Sequence, residues 1–396
     1  MKILREILDK LKPNFEKGGR FPWLHSTFDA FETFAFVPKT TTKSGAHFRD
    51  AIDMKRTMTF VIIALLPALL FGTYNVGYQH FHSINPSLSF FDDIWGNLLF
   101  GLSKVLPIIL VSYIVGLGIE FAFAQHRGHE VNEGFLVSGI LIPLIMPADV
   151  PLWQLALATA FAVIIGKEVF GGTGMNFLNP ALTARAFLFF AFPSSMSGDE
   201  VWIAEKADAF SGATPLADMM AGASLPNTSF MDMIIGIMPG SIGETSTIAI
   251  LIGAIILIKT GIGSWKIMLS VLLGGALMGL TFNMFGSESN HYAQLPFYYH
   301  YVMGGFMFGT VFMATDPVTA AQTERGKWIY GILIGAMAVL IRVVNPAYPE
   351  GMMLAILLLN VFAPLIDYYV VDSNIRKRMK RWKLAEKLNT KGVDNV

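Results

Sequence analysis

The residues best suited to chemistry form one polar stretch, Asp208-Ala209-Phe210-Ser211-Gly212-Ala213-Thr214. It lies in the longest polar gap between two very hydrophobic halves of the chain. The small residues before Thr214 leave its hydroxyl sterically open, as an enzyme would need in order to attach a bulky group to it. The alternative is an ordinary Ser/Gly loop, which a bare Ser-Gly-Ala-Thr would favour. The elements around the stretch therefore decide between the two interpretations.

The composition indicates a polytopic membrane protein. Of 396 residues, 53% are hydrophobic and only 15% are charged, whereas soluble domains carry about 25% charged residues. An apolar excess with 32 Phe and 21 Met must face lipid. The net charge of zero gives no indication of nucleic-acid binding. The absence of cysteine excludes disulfides, cysteine-ligated zinc and any iron–sulfur cluster held by this chain alone.

Ten apolar segments are long enough, or nearly so, to cross a hydrocarbon core of about 30 Å. Predicted spans cover 57–78, 96–124, 133–148, 151–170, 178–193, 244–260, 265–284, 299–314, 328–344 and 350–370. The third, fifth and eighth are short, and Pro143 and Pro147 interrupt the third. Short, interrupted spans are typical of the half-helices of transporters.

The distribution of Lys and Arg predicts the orientation. They concentrate before the first span, in alternate gaps and in the basic tail, while the gaps 79–95, 149–150 and 285–298 have none. By the positive-inside rule both termini are cytoplasmic, with Arg342 as a mild exception near an outer end. The loop that carries Thr214 is then periplasmic. The basic tail, 376–391, is interpreted as an orientation and lipid-headgroup signal.

The two halves of the chain resemble each other. Gly166-Lys167 precedes Asn179-Pro180-Ala181, and Gly326-Lys327 precedes Asn345-Pro346-Ala347. Because each half would hold an odd number of spans, the second half must be inverted relative to the first. The alternative is that both motifs are common loop punctuation. The predicted organisation is a cytoplasmic segment, a first five-helix repeat, a periplasmic loop, a second repeat and a cytoplasmic tail, at 1–55, 56–193, 194–243, 244–370 and 371–396.

Six segments carry a family resemblance: 129–135, 166–174, 176–181, 239–244, 312–317 and 341–351. In this order they resemble NqrB, a membrane subunit of the bacterial sodium-translocating NADH:quinone oxidoreductase, over almost the whole chain. RnfD of the Rnf complex is similar and carries a Ser-Gly-Ala-Thr site too. The long segment 1–55 favours the quinone reductase, because the Rnf subunit is shorter there.

The resemblance implies two flavins. FMN would be joined to Thr214 through a phosphoester bond by an extracytoplasmic flavin transferase that recognises Asp208, Ser211 and Gly212. A second, non-covalent riboflavin would accept hydrogen bonds from, or donate them to, Asn176 and Asn179. The alternative is that these two asparagines cap the fifth span.

The resemblance also implies the function. The partner subunits NqrA, NqrC, NqrD, NqrE and NqrF would complete a complex in the bacterial inner membrane. That complex would pass electrons from NADH to ubiquinone or menaquinone and translocate sodium. The rival from another class is a non-redox transporter or channel, for which inverted repeats and broken helices are equally good indications.

Carboxylates in or beside apolar stretches are candidates for the sodium path, because a charge there costs about 2.5–3.5 kcal/mol on insertion scales. They are Glu120, Asp316 and Asp367, with Asp29 added because it matches an acidic position of the family. The histidines form no convincing metal set, so no metal centre is predicted.

The resemblance points to a quinone site on the cytoplasmic side, between the N-terminal segment and Gly116-Leu117-Gly118-Ile119-Glu120. Phe28, Phe31, Phe34 and Phe36 would give it an aromatic approach. The family has two adjacent glycines where this chain has Gly116 and Leu117, so Leu117 would narrow the site. The alternative for Gly116 and Gly118 is close helix packing.

Overall fold

The computed structural model describes residues 2–15, 19–22, 25, 28, 32–33, 36, 41–48, 52–128, 134–198, 201–207, 210–287, 290–345 and 351–393. Within these ranges the regular structure is entirely helical, without strands. The predicted all-helical polytopic class is confirmed by six helices long and apolar enough to cross a membrane. A short helix α1, Lys2–Leu11, precedes them.

The first half of the chain contains two long helices and three shorter ones. Helices α2 and α3 cover Met54–Ile84 and Ile94–Arg127. The shorter helices α4, α5 and α6 cover Phe135–Leu144, Leu152–Ile164 and Pro180–Ala191. The predicted shortness of the third and fifth spans is thus confirmed. The loop that follows holds α7, Pro215–Met220, and α8, Phe230–Ile235.

The second half begins with a short helix that the sequence does not indicate as short. Helix α9, Thr247–Lys259, has 13 residues and rises about 20 Å, less than the thickness of a hydrocarbon core. Helix α10 covers Trp265–Phe285, α14 covers Glu324–Val344 and α15 covers Met352–Val393. The total of ten spans stays a prediction.

The predicted eighth span is broken into pieces. It contains α12, Tyr299–Val302, then α13, Phe306–Phe308, and a π-helical turn, Gly309–Met313; α11, His291–Gln294, precedes them. Between α12 and α13 the backbone of Gly304 has φ +60°, a left-handed conformation that interrupts the helix. The break leaves backbone groups unpaired at a depth where lipid cannot satisfy them.

Small residues set the helix packing. A Cβ at Gly101 of α3 would lie 1.8 Å from the carbonyl oxygen of Thr73 on α2, and one at Gly335 of α14 would lie 1.9 Å from that of Val271 on α10. These helix pairs therefore pack backbone against backbone, as small-residue interfaces in membranes do.

Two contacts join the halves: α2 packs against α9, and α6 packs against α15. The same contacts define the two ends of the bundle. The Thr214 end contains the C-terminus of α2, the N-terminus of α9 and residues 194–243. The Asp316 end contains the N-termini of α2, α6 and α14 and the C-terminus of α9.

Candidate functional site

Thr214 occupies the N-cap of α7. Its backbone is extended, and its Oγ1 accepts a hydrogen bond from the backbone N–H of Ala217 at 3.2 Å. The Thr-Pro sequence favours this geometry, because Pro215 fits the first helical position. The cap uses a lone pair of Oγ1 and leaves the hydroxyl hydrogen available. Thr214 is partly buried, so its side chain is both oriented and accessible.

Two cavities flank the acceptor loop. One, of about 330 Å³, is bordered by Thr214, Trp202 and Glu244. The other, of about 670 Å³ including its open mouth, is bordered by Tyr78, Ser211 and further polar side chains. Aromatic walls with a few polar groups are what a planar heteroaromatic ligand needs. The residues present therefore fit a flavin on Thr214.

The segment after Thr214 is held from the second half of the chain. The hydroxyl of Tyr292 donates to the carbonyl of Leu216 at 2.5 Å. Burial raises the pKa of Tyr292 to about 12, so this hydroxyl stays protonated and remains a donor at neutral pH. Arg342 is completely buried and donates to the carbonyls of His300 at 2.7 Å and Met303 at 2.8 Å.

Arg342 thus satisfies carbonyls on both sides of the α12 terminus, beside the break at Gly304. A Cβ at Gly304 would lie 2.6 Å from Leu216. The broken span and the helix after Thr214 therefore touch directly. The mild exception to the orientation rule has a structural cause, since Arg342 is a buried donor and not a loop charge.

The segment before Thr214 is held from the first half. Nδ1 of His80 lies 3.0 Å from the carbonyl oxygen of Ala204 and 3.1 Å from that of Glu205, and its ring stacks on Phe100 at 3.8 Å. Glu205 has φ +49°, the one positive φ among the described non-glycine residues. Its carboxylate pairs with Lys104, which lowers the pKa of Glu205. Helices α2 and α3 therefore fix the approach to the acceptor loop.

A second candidate site lies at the Asp316 end. It is a cleft of about 800 Å³, including its open mouth, bordered by α2, the loop 171–179 and the segment that follows the π-helical turn. Asn176, Asn179 and Asp316 all border it, with Lys167 and Thr173. The structure thus brings together residues that the sequence assigns separately, two to a flavin and one to an ion path.

Asn179 has two roles in this cleft. Its Oδ1 accepts from the N–H groups of Ala181 at 3.0 Å and Leu182 at 3.3 Å, so it caps α6, in agreement with the alternative interpretation. Its Nδ2 donates to Oδ2 of Asp316 at 3.3 Å. Asn176 donates only locally, to the carbonyl of Leu178 at 3.0 Å, and does not cap the helix. Oδ1 of Asn176 is therefore the amide oxygen of the pair that capping does not use.

The two predicted carboxylates at this end have different surroundings. Asp316 accepts from the N–H of Val318 at 3.1 Å and the hydroxyl of Thr319 at 2.9 Å, and it borders a second, more polar cleft. Asp367 accepts from the N–H groups of Gln322 at 2.6 Å and Thr323 at 2.9 Å. Asp367 therefore holds the N-terminus of α14 in place, while Asp316 lies between two clefts.

Glu120 forms a buried ion pair with Lys167, and each side chain is less than 5% exposed. The neighbouring pair Arg127 and Glu168 lies at 2.8 Å. By sequence Lys167 counts among the loop charges, but the structure buries it between α3 and α5. Burying one charge without the other in an apolar bundle is strongly unfavourable, so Glu120 has a structural role in this arrangement.

The glycines of the predicted quinone site differ from each other. A Cβ at Gly116 would lie 1.9 Å from the ring of Phe135, whereas one at Gly118 would meet nothing within 4 Å. Gly116 therefore serves close packing, in agreement with the alternative, and Gly118 faces open space. Leu117 packs against the core. Phe28 stacks on Phe15 at 4.7 Å.

Several predicted residues lie outside the described ranges: Asp29, Phe31, Phe34 and Asp208. Within the described ranges, no group of three or more His, Asp or Glu side chains could hold a metal ion. No sequence pattern marks Trp202, Tyr292 or His80 as functional. Aromatic residues in a polar gap of a membrane protein are a weak signal, because they need a buried partner there.

The fold and the two sites define a polytopic, all-helical membrane protein with a protected acceptor threonine at one end and a polar cleft at the other. The family model described as the NQR2, RnfD, RnfE family matches residues 41–376. The chain belongs to this family.

Similar proteins match over nearly their full length. The relative from Chromohalobacter salexigens, named as the B-type subunit (NqrB) of the Na(+)-translocating NADH-quinone reductase, is 50% identical, over 96% of each chain. The proteins of the same name from Ectopseudomonas mendocina and Pseudomonas aeruginosa are 50% and 49% identical, over 96% of this chain and 99% of theirs.

The buried pair yields a stability prediction. Lys167→Met leaves the Glu120 carboxylate without its cation, so we expect the free energy of unfolding to fall by about 3–5 kcal/mol, with most of it recovered when Glu120→Gln is added. Denaturant titration of the detergent-purified chain measures this. The control is Lys327→Met, which removes an ammonium 3.0 Å from the exposed Glu324 and should change stability by less than about 1 kcal/mol. Equal losses for Lys167→Met and the control would contradict the burial of the pair.

Proposed function

We propose that this chain is the flavin-carrying membrane subunit of a sodium-translocating NADH:quinone oxidoreductase. The observation that carries the proposal is Thr214, a capping threonine with an available hydroxyl and a cavity on each side of its loop. The relatives' name is consistent with it. NADH would be oxidised on partner subunits, and electrons would pass through this chain to ubiquinone or menaquinone.

Thr214 would hold FMN through a phosphoester to Oγ1, with Ser211 and Gly212 in the loop that a flavin transferase recognises. Bound flavin would supply the exchange between two-electron and one-electron steps. The protein's contribution is a fixed position: His80 and Lys104 hold the segment before the loop, and Tyr292 holds the segment after it. The Oγ1 cap would survive attachment, because an ester oxygen still accepts hydrogen bonds.

The cleft at the Asp316 end would hold riboflavin. Oδ1 of Asn176 is free of capping and buried beside apolar walls from α2 and α9, the combination that small-molecule sites use for orientation. Asn179 would contribute less, because its oxygen already caps α6.

Asp316 is the proposed sodium-path residue. It separates the riboflavin cleft from the neighbouring polar cleft, whose border includes Ser264 and Gln322. Sodium prefers oxygen ligands, and carboxylates, hydroxyls and unwound carbonyls all occur here. Asp367 would keep α14 positioned beside that path. Glu120 and Asp29 stay predictions for the path, and the region Gly116 to Glu120 stays one for quinone, with Gly118 as its open position.

In the proposed topology both termini are cytoplasmic and the Thr214 end is periplasmic. The contacts of α2 with α9 and of α6 with α15 join equivalent helices of the two proposed inverted repeats. The domain boundaries near 55, 193, 243 and 370 follow from the same scheme. An Rnf-type subunit belongs to the same family, and it would work with ferredoxin instead of quinone.

The attachment prediction is direct. Thr214→Ala should abolish in-gel flavin fluorescence of the denatured chain, because the only proposed ester oxygen is lost. The matched control is Thr228→Ala in the same loop, which should keep full fluorescence. Both chains are made together with an active flavin transferase. Fluorescence that persists in Thr214→Ala would refute the attachment site.

The cleft prediction separates the two flavins. Asn176→Leu should lower the flavin extractable by denaturation without changing the covalent flavin, because it removes a ligand-facing amide and no cap. Flavin released by acid is quantified by chromatography beside in-gel fluorescence. Asn179→Ala is the comparison, and it should also cost about 1 kcal/mol of stability through the lost cap. Undiminished extractable flavin in Asn176→Leu would exclude this cleft.

The sodium prediction concerns Asp316. Asp316→Asn keeps the size of the side chain but removes its charge, so we expect the sodium concentration that gives half-maximal quinone reduction to rise about tenfold, a change of about 1.4 kcal/mol. The assay uses the intact complex with full flavin content. Asp367→Asn should lower stability and leave the sodium titration in place. An unchanged titration in Asp316→Asn would remove it from the path.

A further inference from the structure

The last helix is much longer than a membrane crossing requires. Helix α15 has 42 residues and rises about 63 Å, while a hydrocarbon core of about 30 Å takes about 20 residues. Tyr368 and Tyr369 are 65% and 64% exposed, and exposed tyrosines mark the membrane–water interface. The helix continues beyond them from the Asp316 end without a break.

The extension carries an apolar stripe. Ile375, Met379 and Trp382 are 49%, 54% and 64% exposed. Their spacing of four and three residues places them on one face of the helix. Every residue from 374 to 383 is exposed. Within this structure the stripe therefore stays uncovered.

The same segment is strongly basic. Between residues 373 and 385 there are six Lys or Arg and no Asp or Glu: Arg376, Lys377, Arg378, Lys380, Arg381 and Lys383. Arg378 and Lys383 follow the helical repeat on either side of the stripe. A surface that would cover the stripe must therefore be apolar in its centre and acidic at its edges.

Distance argues against lipid as the cover. Trp382 comes thirteen residues after Tyr369, about 20 Å along the axis. The headgroup layer adds only about 6 Å on each side of the hydrocarbon core. A tilt of about 20°, the average for such helices, shortens the height very little. Trp382 thus stands beyond the headgroups, where an exposed indole gains nothing from the membrane.

We propose that residues 374–383, the basic ridge, are a docking site for another protein chain that presents an apolar groove bordered by Asp and Glu. The match to the family model ends at residue 376, so the ridge lies almost entirely beyond the region that the family shares. This suits a contact with one particular partner. The inference rests on the proposed function only in expecting that partner among the subunits of the same complex.

Photocrosslinking in the intact complex tests the ridge. A benzophenone amino acid replaces Met379, on the stripe, or Lys377, on the opposite face, in the full chain in native membranes. We expect position 379 to give an adduct with one subunit of the purified complex, through a peptide rich in Asp and Glu, about tenfold more than position 377. Arg378→Glu with Lys383→Glu should abolish the adduct, and Lys at the partner's acidic positions should restore it.

Three results would overturn the proposal: adducts with lipid alone, equal adducts from both positions, or none. Flavin content is measured in the same preparations. Normal flavin without a subunit adduct defeats the docking site and leaves the proposed function intact. Absent flavin with a normal adduct does the reverse.

Discussion

The guanidinium of Arg342 solves the main physical problem of this fold. A helix broken inside a bilayer leaves carbonyls that lipid cannot satisfy, so irregular backbone survives there only when protein groups pair with it. Arg342 donates to the carbonyls of His300 and Met303, on both sides of the α12 terminus. Its own charge is buried only because those carbonyls surround it. The left-handed turn at Gly304, the helix after Thr214 and the end of α14 are all positioned through this contact.

The same principle shapes the opposite end. Short helices α4, α6 and α9 end inside the bundle, and their free backbone groups need partners. Asn179 supplies a cap to α6 and a hydrogen bond to Asp316, while Asp367 satisfies the first turn of α14. Groups that complete a broken helix are polar, buried and close to a cleft. A membrane protein that builds binding sites from half-helices therefore obtains its ligand groups and its caps from the same residues, as Asn179 shows.

The sequence predicts the spans well because apolar length is a strong signal, and the short third, fifth and eighth ones are visible in their composition. The shortness of α9 is not, because Gly243 to Ser246 continue the apolar run without continuing the helix. Residue types mark Thr214, Asn176 and Asp316 as candidates, yet the contact of Asn179 with Asp316 joins residues 137 positions apart. No local pattern contains such a distance. Lys167 and Arg342 resemble loop charges in the sequence for the same reason, because a buried cation is recognisable only once its partner is known.

The central claim is that one chain holds two flavins at opposite ends of the fold, one covalent and one exchangeable. The most direct measurement is a flavin inventory of the wild-type chain purified from its complex, with peptide mass spectrometry for the bound flavin and chromatography for the released flavin. We expect one FMN per chain, attached to the peptide that contains Thr214, and one equivalent of released riboflavin. A chain without a flavin-bearing peptide, produced beside a transferase that modifies another subunit, would contradict the claim.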